Sequence, residues 1–358
     1  MGSEFAVGPV VAKPGERTVG FLEIGPMAGG ANLRIPIHVV AGNDDGPTLV
    51  LLSGQHGDEV TPLSVFNALI HSLDRRAIRG RLVIVPFANP VAFLYGQRST
   101  WIDALYGATT GNLNRLWPGK RDGFFTERIA WTITQHVLPV ADAIIDFHSS
   151  ILDQLWLYYA YYMPDDGDIG RRSREMGRAF GMEILMRRPG AHVGSAGSTL
   201  SDYVFRELKI PVLPVEIGEF YGLRVNGAHP APQDPVRSLP EVGVTGVLNI
   251  MKLLGMLPGK PVVPAQQVIV SPETRCLPAA GGILFPEVNR RDIGRVLGGG
   301  TVLGRIVGPF TFEVLEEIKT PYARSLLLSA RPGIPVAKVN PGDQCFHVAD
   351  FDTAEWIG

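Results

Sequence analysis

Two runs of branched apolar residues in this chain stop abruptly at polar clusters containing histidine. That junction narrows the available folds more than any other feature. Thr48-Leu49-Val50-Leu51-Leu52 leads into Gly54-Gln55-His56-Gly57-Asp58-Glu59, and Ala143-Ile144-Ile145 leads into Asp146-Phe147-His148. Short unbroken runs of this kind mark strands buried on both faces, as in sheets covered by helices. In such open sheets, ligands collect in the crevice beyond the carboxyl ends of the strands. A further strand pattern, Val212 to Ile217, carries Glu216 near its end. His56, Glu59, His148 and Glu216 are far apart in sequence, yet all fall at or just past expected strand ends.

Two imidazoles and one carboxylate, with the first His and the Glu three apart, form the donor set of a catalytic zinc site. Such a site keeps a fourth position open for water. The functional reading is a metal-dependent hydrolase, with His56, Glu59 and His148 holding one Zn2+ per chain. The donors alone do not exclude cobalt, manganese or iron. Gly54 and Gly57 let the backbone turn tightly around His56. Asp146, two residues before His148 and so on the same strand face, is a candidate acceptor for the second ring nitrogen of that histidine. A plain strand-end aspartate is the competing reading.

Composition narrows the partners. The chain has 358 residues, enough for one large and one small domain, and 45% of them are apolar. No apolar run approaches the ~18 residues needed to span a bilayer, so no membrane anchor is expected. The formal charge of −2 is spread along the chain, which offers no footprint for nucleic acid or an anionic membrane. Cys276 and Cys345 are the only two cysteines; that excludes a disulfide framework and fits a reducing cytoplasm. Met1 to Phe5 reads as a cloning scar rather than a signal peptide.

From about Thr48 to Leu257, strand-like and helix-like segments alternate, which argues for a mostly parallel or mixed sheet flanked by helices. Strands are expected at Arg81 to Phe87, Ala143 to Phe147, Leu155 to Tyr161 and Val212 to Ile217. A helix is expected over Thr126 to Leu138, with Thr126 as N-cap and Pro139 as its stop. Others are expected at about Ile169 to Phe180, Leu200 to Leu208 and Val242 to Leu257. Beyond Pro258 to Pro264, short apolar stretches are punctuated by Pro and Gly. This predicts a separate all-β domain over 259–358, after a catalytic α/β domain over 1–258.

Four motifs in order resemble the succinylglutamate desuccinylase/aspartoacylase family, which is related to the zinc carboxypeptidases. They are GQHGDE, the NLNR of Asn112 to Arg115, the DFHS of Asp146 to Ser149, and the VEIG of Val215 to Gly218. The resemblance implies a carboxypeptidase-like α/β fold with a C-terminal, barrel-like β domain. It also implies that His56, Glu59 and His148 are zinc ligands and that Glu216 is the general base, with Glu219 a rival in the bottom-up reading. Arg98, nine residues after Asn89-Pro90, would stabilise the oxyanion. Asn114 and Arg115 would grip a substrate carboxylate, a task suited to the planar guanidinium fork. Asn112 stands where many members have aspartate, and the surrounding residues resemble the branch that deacetylates N-acetyl-diamino acids.

The resulting expectation is a zinc amidohydrolase acting on a small N-acyl substrate that carries a carboxylate. A metallocarboxypeptidase shares the chemistry, and a non-catalytic binding protein with a metal fold is the rival from another class. The two enzymes differ in access, since a β domain covering the mouth would exclude peptides. If tyrosines of the aromatic stretch Trp156 to Tyr162 face the crevice rather than the core, they would suit a bulkier acyl group. His192 reads as a solvated loop residue, and the sequence leaves a homo-oligomer open.

Overall fold

The computed structural model describes residues 2–150, 154–165, 167–188, 193–194, 197–218, 239–271, 273–331 and 335–357. One mixed ten-stranded sheet organises them, in spatial order Glu355–Ile357, Gln267–Val270, Ile184–Arg187, Tyr159–Tyr162, Val212–Ile217, Ala143–Ser149, Asp44–Leu52, Arg79–Val85, Asn32–Ala41 and Arg17–Pro26. Its centre is parallel: Val212–Ile217, Ala143–Ser149, Asp44–Leu52 and Arg79–Val85 run in the same direction. The carboxyl ends of the first three therefore meet on one edge, which is where the His- and Glu-bearing motifs lie.

The apolar runs are unbroken because both faces of these strands are covered. Leu49, Leu51, Ile145 and Phe147 pack on one face against the helices Pro62–Ser72, Asp168–Phe180 and Leu239–Leu253. Val50, Leu52 and Ile144 point to the other face, against the helix Phe125–His136 and the N-terminal hairpin Phe5–Val7/Val10–Ala12. This period of two is the geometry of a strand. The antiparallel strands Arg17–Pro26 and Asn32–Ala41 extend the sheet beyond the alternating region marked in the sequence.

Residues after 270 build two smaller antiparallel sheets. One contains Glu273–Cys276, Phe346–Asp350, Arg324–Ala330 and Val296–Gly298, with Leu155–Trp156 added alongside Arg324–Ala330. The other contains Val314–Lys319, Val302–Val307, Gly282–Pro286 and Ala337–Val339. Gln267–Val270 and Glu355–Ile357 instead join the large sheet, so the C-terminal region is hydrogen-bonded into it at both ends.

Two local expectations need correction. The helix after residue 124 begins at Phe125 rather than being capped by Thr126, and the Glu127 carboxylate closes its N-terminus by accepting from the Phe124 amide at 3.0 Å. Thr126 is buried, and its amide and hydroxyl both donate to Asp103. The aromatic stretch is also not one strand. Leu155–Trp156 pairs with the small sheet, while Tyr159–Tyr162 lies in the large one.

Candidate metal centre

The loop after Asp44–Leu52 folds as it does because two glycines permit it. Gly54 adopts φ +65°, where other residues are strained. A Cβ on Gly57 would lie 2.0 Å from the backbone of Ala92, so only glycine lets the loop rest on the short helix Pro90–Tyr95, which follows the neighbouring strand Arg79–Val85. This close approach turns His56 and Glu59 back over the strand end.

His56, Glu59 and His148 are all buried, and one donor atom from each lies within 4.8 Å of the others. His56 Nδ1 is 2.7 Å from Glu59 Oε1, and His148 Nδ1 is 2.8 Å from Glu59 Oε2. Arg98 Nη1 also donates to Glu59 Oε1, at 2.9 Å. Burial alone would raise the Glu59 carboxyl, but the two histidines hold it well below its ordinary value. Burial pushes His56 down. His148 is raised despite burial, by the carboxylates of Asp146 and Glu59.

The outer ring nitrogens have partners too. His56 Nε2 is 3.1 Å from Asn112 Oδ1, which leaves Nδ1 to face inward. His148 Nε2 lies 3.4 Å from Asp146 Oδ2 and 3.2 Å from Asn114 Nδ2. Gln55 donates to Asp146 Oδ1 at 2.8 Å and accepts from Trp117 Nε1 at 2.9 Å, tying the two motifs together. Two imidazole nitrogens and a carboxylate converging at this range fit a divalent ion with zinc's preferences.

The three donors open onto a cavity of about 760 Å³ that is also lined by Arg98, Asn114, Arg115 and Glu216. All seven residues singled out in the sequence therefore share one space. Glu216 faces His148 across adjacent parallel strands. Burial, reinforced by the Glu59 and Glu273 carboxylates, pushes its carboxyl up to about 7 against the opposing pull of His148 and Arg98. Arg115 is partly buried, and burial together with the nearby Arg98, Arg275 and Arg188 holds its guanidinium below its ordinary value. Glu219, the residues to Arg224, and His192 lie outside the described residues.

Several lining residues had no signal in the sequence. Arg188 follows a strand end and is held by Thr199 and Asp202 at 3.2 and 3.5 Å. Glu273, Arg275 and His347 reach the cavity from the C-terminal region. The aromatic stretch divides by parity. Tyr158 and Tyr162 pack into the helix-side core, whereas Tyr159 and Tyr161 face the C-terminal sheets, and Tyr161 reaches the cavity.

A mixed α/β sheet with a His–Glu–His group and a carboxylate beside it at its carboxyl edge defines a metallohydrolase-type scaffold. Residues 45–230, more than half of the chain, match the succinylglutamate desuccinylase/aspartoacylase catalytic domain, and the protein belongs to that family. It is 36% identical over 151 residues to an N-alpha-acetyl-L-2,4-diaminobutyric acid deacetylase of Halomonas elongata, covering 42% of each chain. It is 26% identical over 207 residues to a succinylglutamate desuccinylase of Pseudomonas putida, covering 53% of this chain and 57% of the relative. The chain thus spans about half the length of the curated relatives it matches. Among solved structures, the product-bound ectoine utilization protein EutE of Ruegeria pomeroyi superposes with TM-score 0.76 at 22% identity, covering 97% of this chain and 99% of the other. A succinylglutamate desuccinylase from Silicibacter sp. TM1040 gives 0.74 at 21%, with the same coverage. The whole architecture, C-terminal strands included, is therefore a shared fold.

Proposed function

We propose that the protein is a zinc-dependent amidohydrolase that removes an acyl group from a small N-acylated amino acid. The observation that carries this reading is the meeting of the His56–Glu59–His148 group, Glu216, Arg98 and Arg115 in one cavity. Membership of a family that includes a named deacetylase and desuccinylases supports it.

When bound, zinc would supply a Lewis acid for the scissile carbonyl and lower the pKa of a water. Glu216 takes the proton from the attacking water and returns it to the departing amine. A carboxyl raised to about 7 is matched to both halves of that task. Arg98, on the cavity wall beside Glu59, is placed to meet negative charge developing on the carbonyl oxygen. Arg115 orients the substrate carboxylate. Asn114 is held on both sides, its Oδ1 by the Leu200 amide at 2.9 Å and its Nδ2 beside His148, so it fixes the floor on which Arg115 stands.

Small substrates are favoured over peptides because Glu273, Arg275 and His347 of the C-terminal region wall the same cavity. We accordingly read 1–258 as the catalytic unit and 259–358 as a mainly β unit that completes its pocket. No helix among the described residues is long and apolar enough to cross a membrane. Cys276 and Cys345 are buried free thiols, in keeping with a reducing cytoplasm.

The deciding experiment is amine release by zinc-loaded protein from a panel of N-acyl amino acids and peptides. Cleavage of the small compounds alone is expected. Release of C-terminal residues from peptides would transfer the case to a carboxypeptidase, and silence with zinc bound would overturn the substrate class.

A further inference from the structure

We infer that the short helices Pro90–Tyr95 and Trp101–Leu105 form the face on which two copies of this chain associate, next to the segment that carries Arg98. The inference is independent of the chemistry proposed for the cavity.

Between Leu82 and Asn114 the chain carries only two charged residues, Arg98 and Asp103. Both are engaged inward. Asp103 is buried and accepts from the amide and hydroxyl of Thr126, and Arg98 reaches Glu59 at 2.9 Å. What the two helices turn outward is Leu94, Tyr95, Trp101, Leu105 and Tyr106, each between 47 and 76% exposed.

The face is held rigidly. Asn89 Oδ1 accepts from the Ala92 amide at 3.1 Å and from the Thr100 hydroxyl at 3.0 Å, so both helices start from one residue and lie side by side. Phe93 stacks on Phe87 with ring centroids 4.5 Å apart. The Thr100 amide donates to the Gly111 carbonyl at 3.0 Å and closes the base of the segment. A surface fixed in this way loses little freedom on association.

Area and charge select the occupant. At about 200 Å² for a large side chain, these exposures leave roughly 600 Å² of mostly apolar surface per copy, as much as the largest patch on an ordinary monomer. Pairing the face with itself would bury about 1,200 Å² from these side chains alone, enough to enter the range of specific, stable interfaces. A two-fold contact sets the same patch against itself, so a charge near the axis would meet its own kind. A face rich in aromatic residues and free of outward charge avoids that repulsion and has the composition of a homodimer core.

The position also matters for the metal centre. Gln97 O accepts from the Gly57 amide at 2.8 Å, so the segment between the two helices supports the loop that bears His56 and Glu59. A second copy seated on the helices backs that support.

Sedimentation velocity of the full chain at micromolar concentration should show a dimer. Leu105→Asp and Tyr106→Asp each set a carboxylate on the contact and should weaken the dimer by at least about 100-fold, because like charges brought together across an interface are strongly disfavoured. Phe310→Asp, at a still more exposed aromatic residue of the C-terminal region, should leave the dimer intact. A monomeric wild type would assign the face to a different protein or to a lipid surface and overturn the inference. A dimer that survives both helix substitutions, or one broken by Phe310→Asp, would overturn it equally. Should the helix variants not fold, hydroxyl-radical labelling of wild type decides. Tyr95, Trp101 and Tyr106 should label well below the level that their exposure in the single chain gives, while Phe310 labels in full; full labelling of all four would refute the contact.

Discussion

Glu216 lies directly opposite His148 on neighbouring parallel strands. Backbone hydrogen bonds thus fix the spacing between the proposed base and a proposed ligand, at the ~4.8 Å that separates paired strands. Neither residue depends on a loop for its position. Arg115 and Arg98, the arginines proposed to meet the substrate, come instead from the short helical turn Leu113–Arg115 and from a loop segment, where sequence variation is structurally tolerated.

Replacing this base should separate chemistry from metal binding. Glu216→Gln is expected to lower kcat by at least about 10²- to 10⁴-fold, the usual range for a general base. Zinc content, measured by elemental analysis, should remain at one per chain. Loss of zinc in the variant would show that Glu216 is a ligand and not the base.

The same residue should leave a mark on stability. Its carboxyl is raised in the folded protein to about 7 from an ordinary 4.5. The folded state thus holds its proton where the unfolded chain has lost it, and stability falls as pH rises through that interval. In chelator-treated protein, Glu216→Gln should gain roughly 1–3 kcal/mol over wild type between pH 4.5 and pH 7 and keep that gain above it. Denaturant midpoints across pH would read this, and a constant difference would refute it.

Asn112 holds the outer nitrogen of His56, and its Oδ1 also accepts from the Asn114 amide at 3.0 Å. Removing such a support typically weakens a metal by about 10- to 100-fold. Asn112→Ala should do so in competition with a chromogenic chelator, whereas Asn112→Asp should bind as tightly as wild type. Equal affinity for the alanine variant would dismiss the role.

Gly57→Ala sets a Cβ against the Ala92 backbone at 2.0 Å, and neither element can yield cheaply. We expect a loss of roughly 1–3 kcal/mol, the usual cost of overpacking, together with weaker metal binding because His56 is displaced. Thermal unfolding at matched zinc would show both effects. An unchanged midpoint would mean the loop relaxes.

The strand-end motifs were readable because Leu49 to Leu52 and Ala143 to Ile145 are buried on both faces, so nothing interrupts their apolar pattern. Val212 to Ile217 matches its strand residue for residue. The helix start at Phe125 was not readable, since Thr126 looks like a cap until Asp103, distant in sequence, is known to hold it. Glu273, Arg275 and His347 were invisible for a related reason. An exposed-looking charge on a short β strand acquires meaning only from what the fold lays beside it. Nor does local pattern reveal that Gln267–Val270 and Glu355–Ile357 return to the large sheet, because pairing at that separation is a property of topology.

That return has a mechanical consequence. A wall attached by a single linker could swing aside and admit a longer substrate. Here the chain leaves the large sheet after Val270 and re-enters at Glu355, with Leu155–Trp156 stitched to the intervening sheet as well. The opening is thus an aperture set by three lines of backbone hydrogen bonds, and widening it means unzipping strands. Any proposed selection by size would then be set by folding energy, and cutting the chain after the linker would strip the pocket and expose a raw sheet edge together.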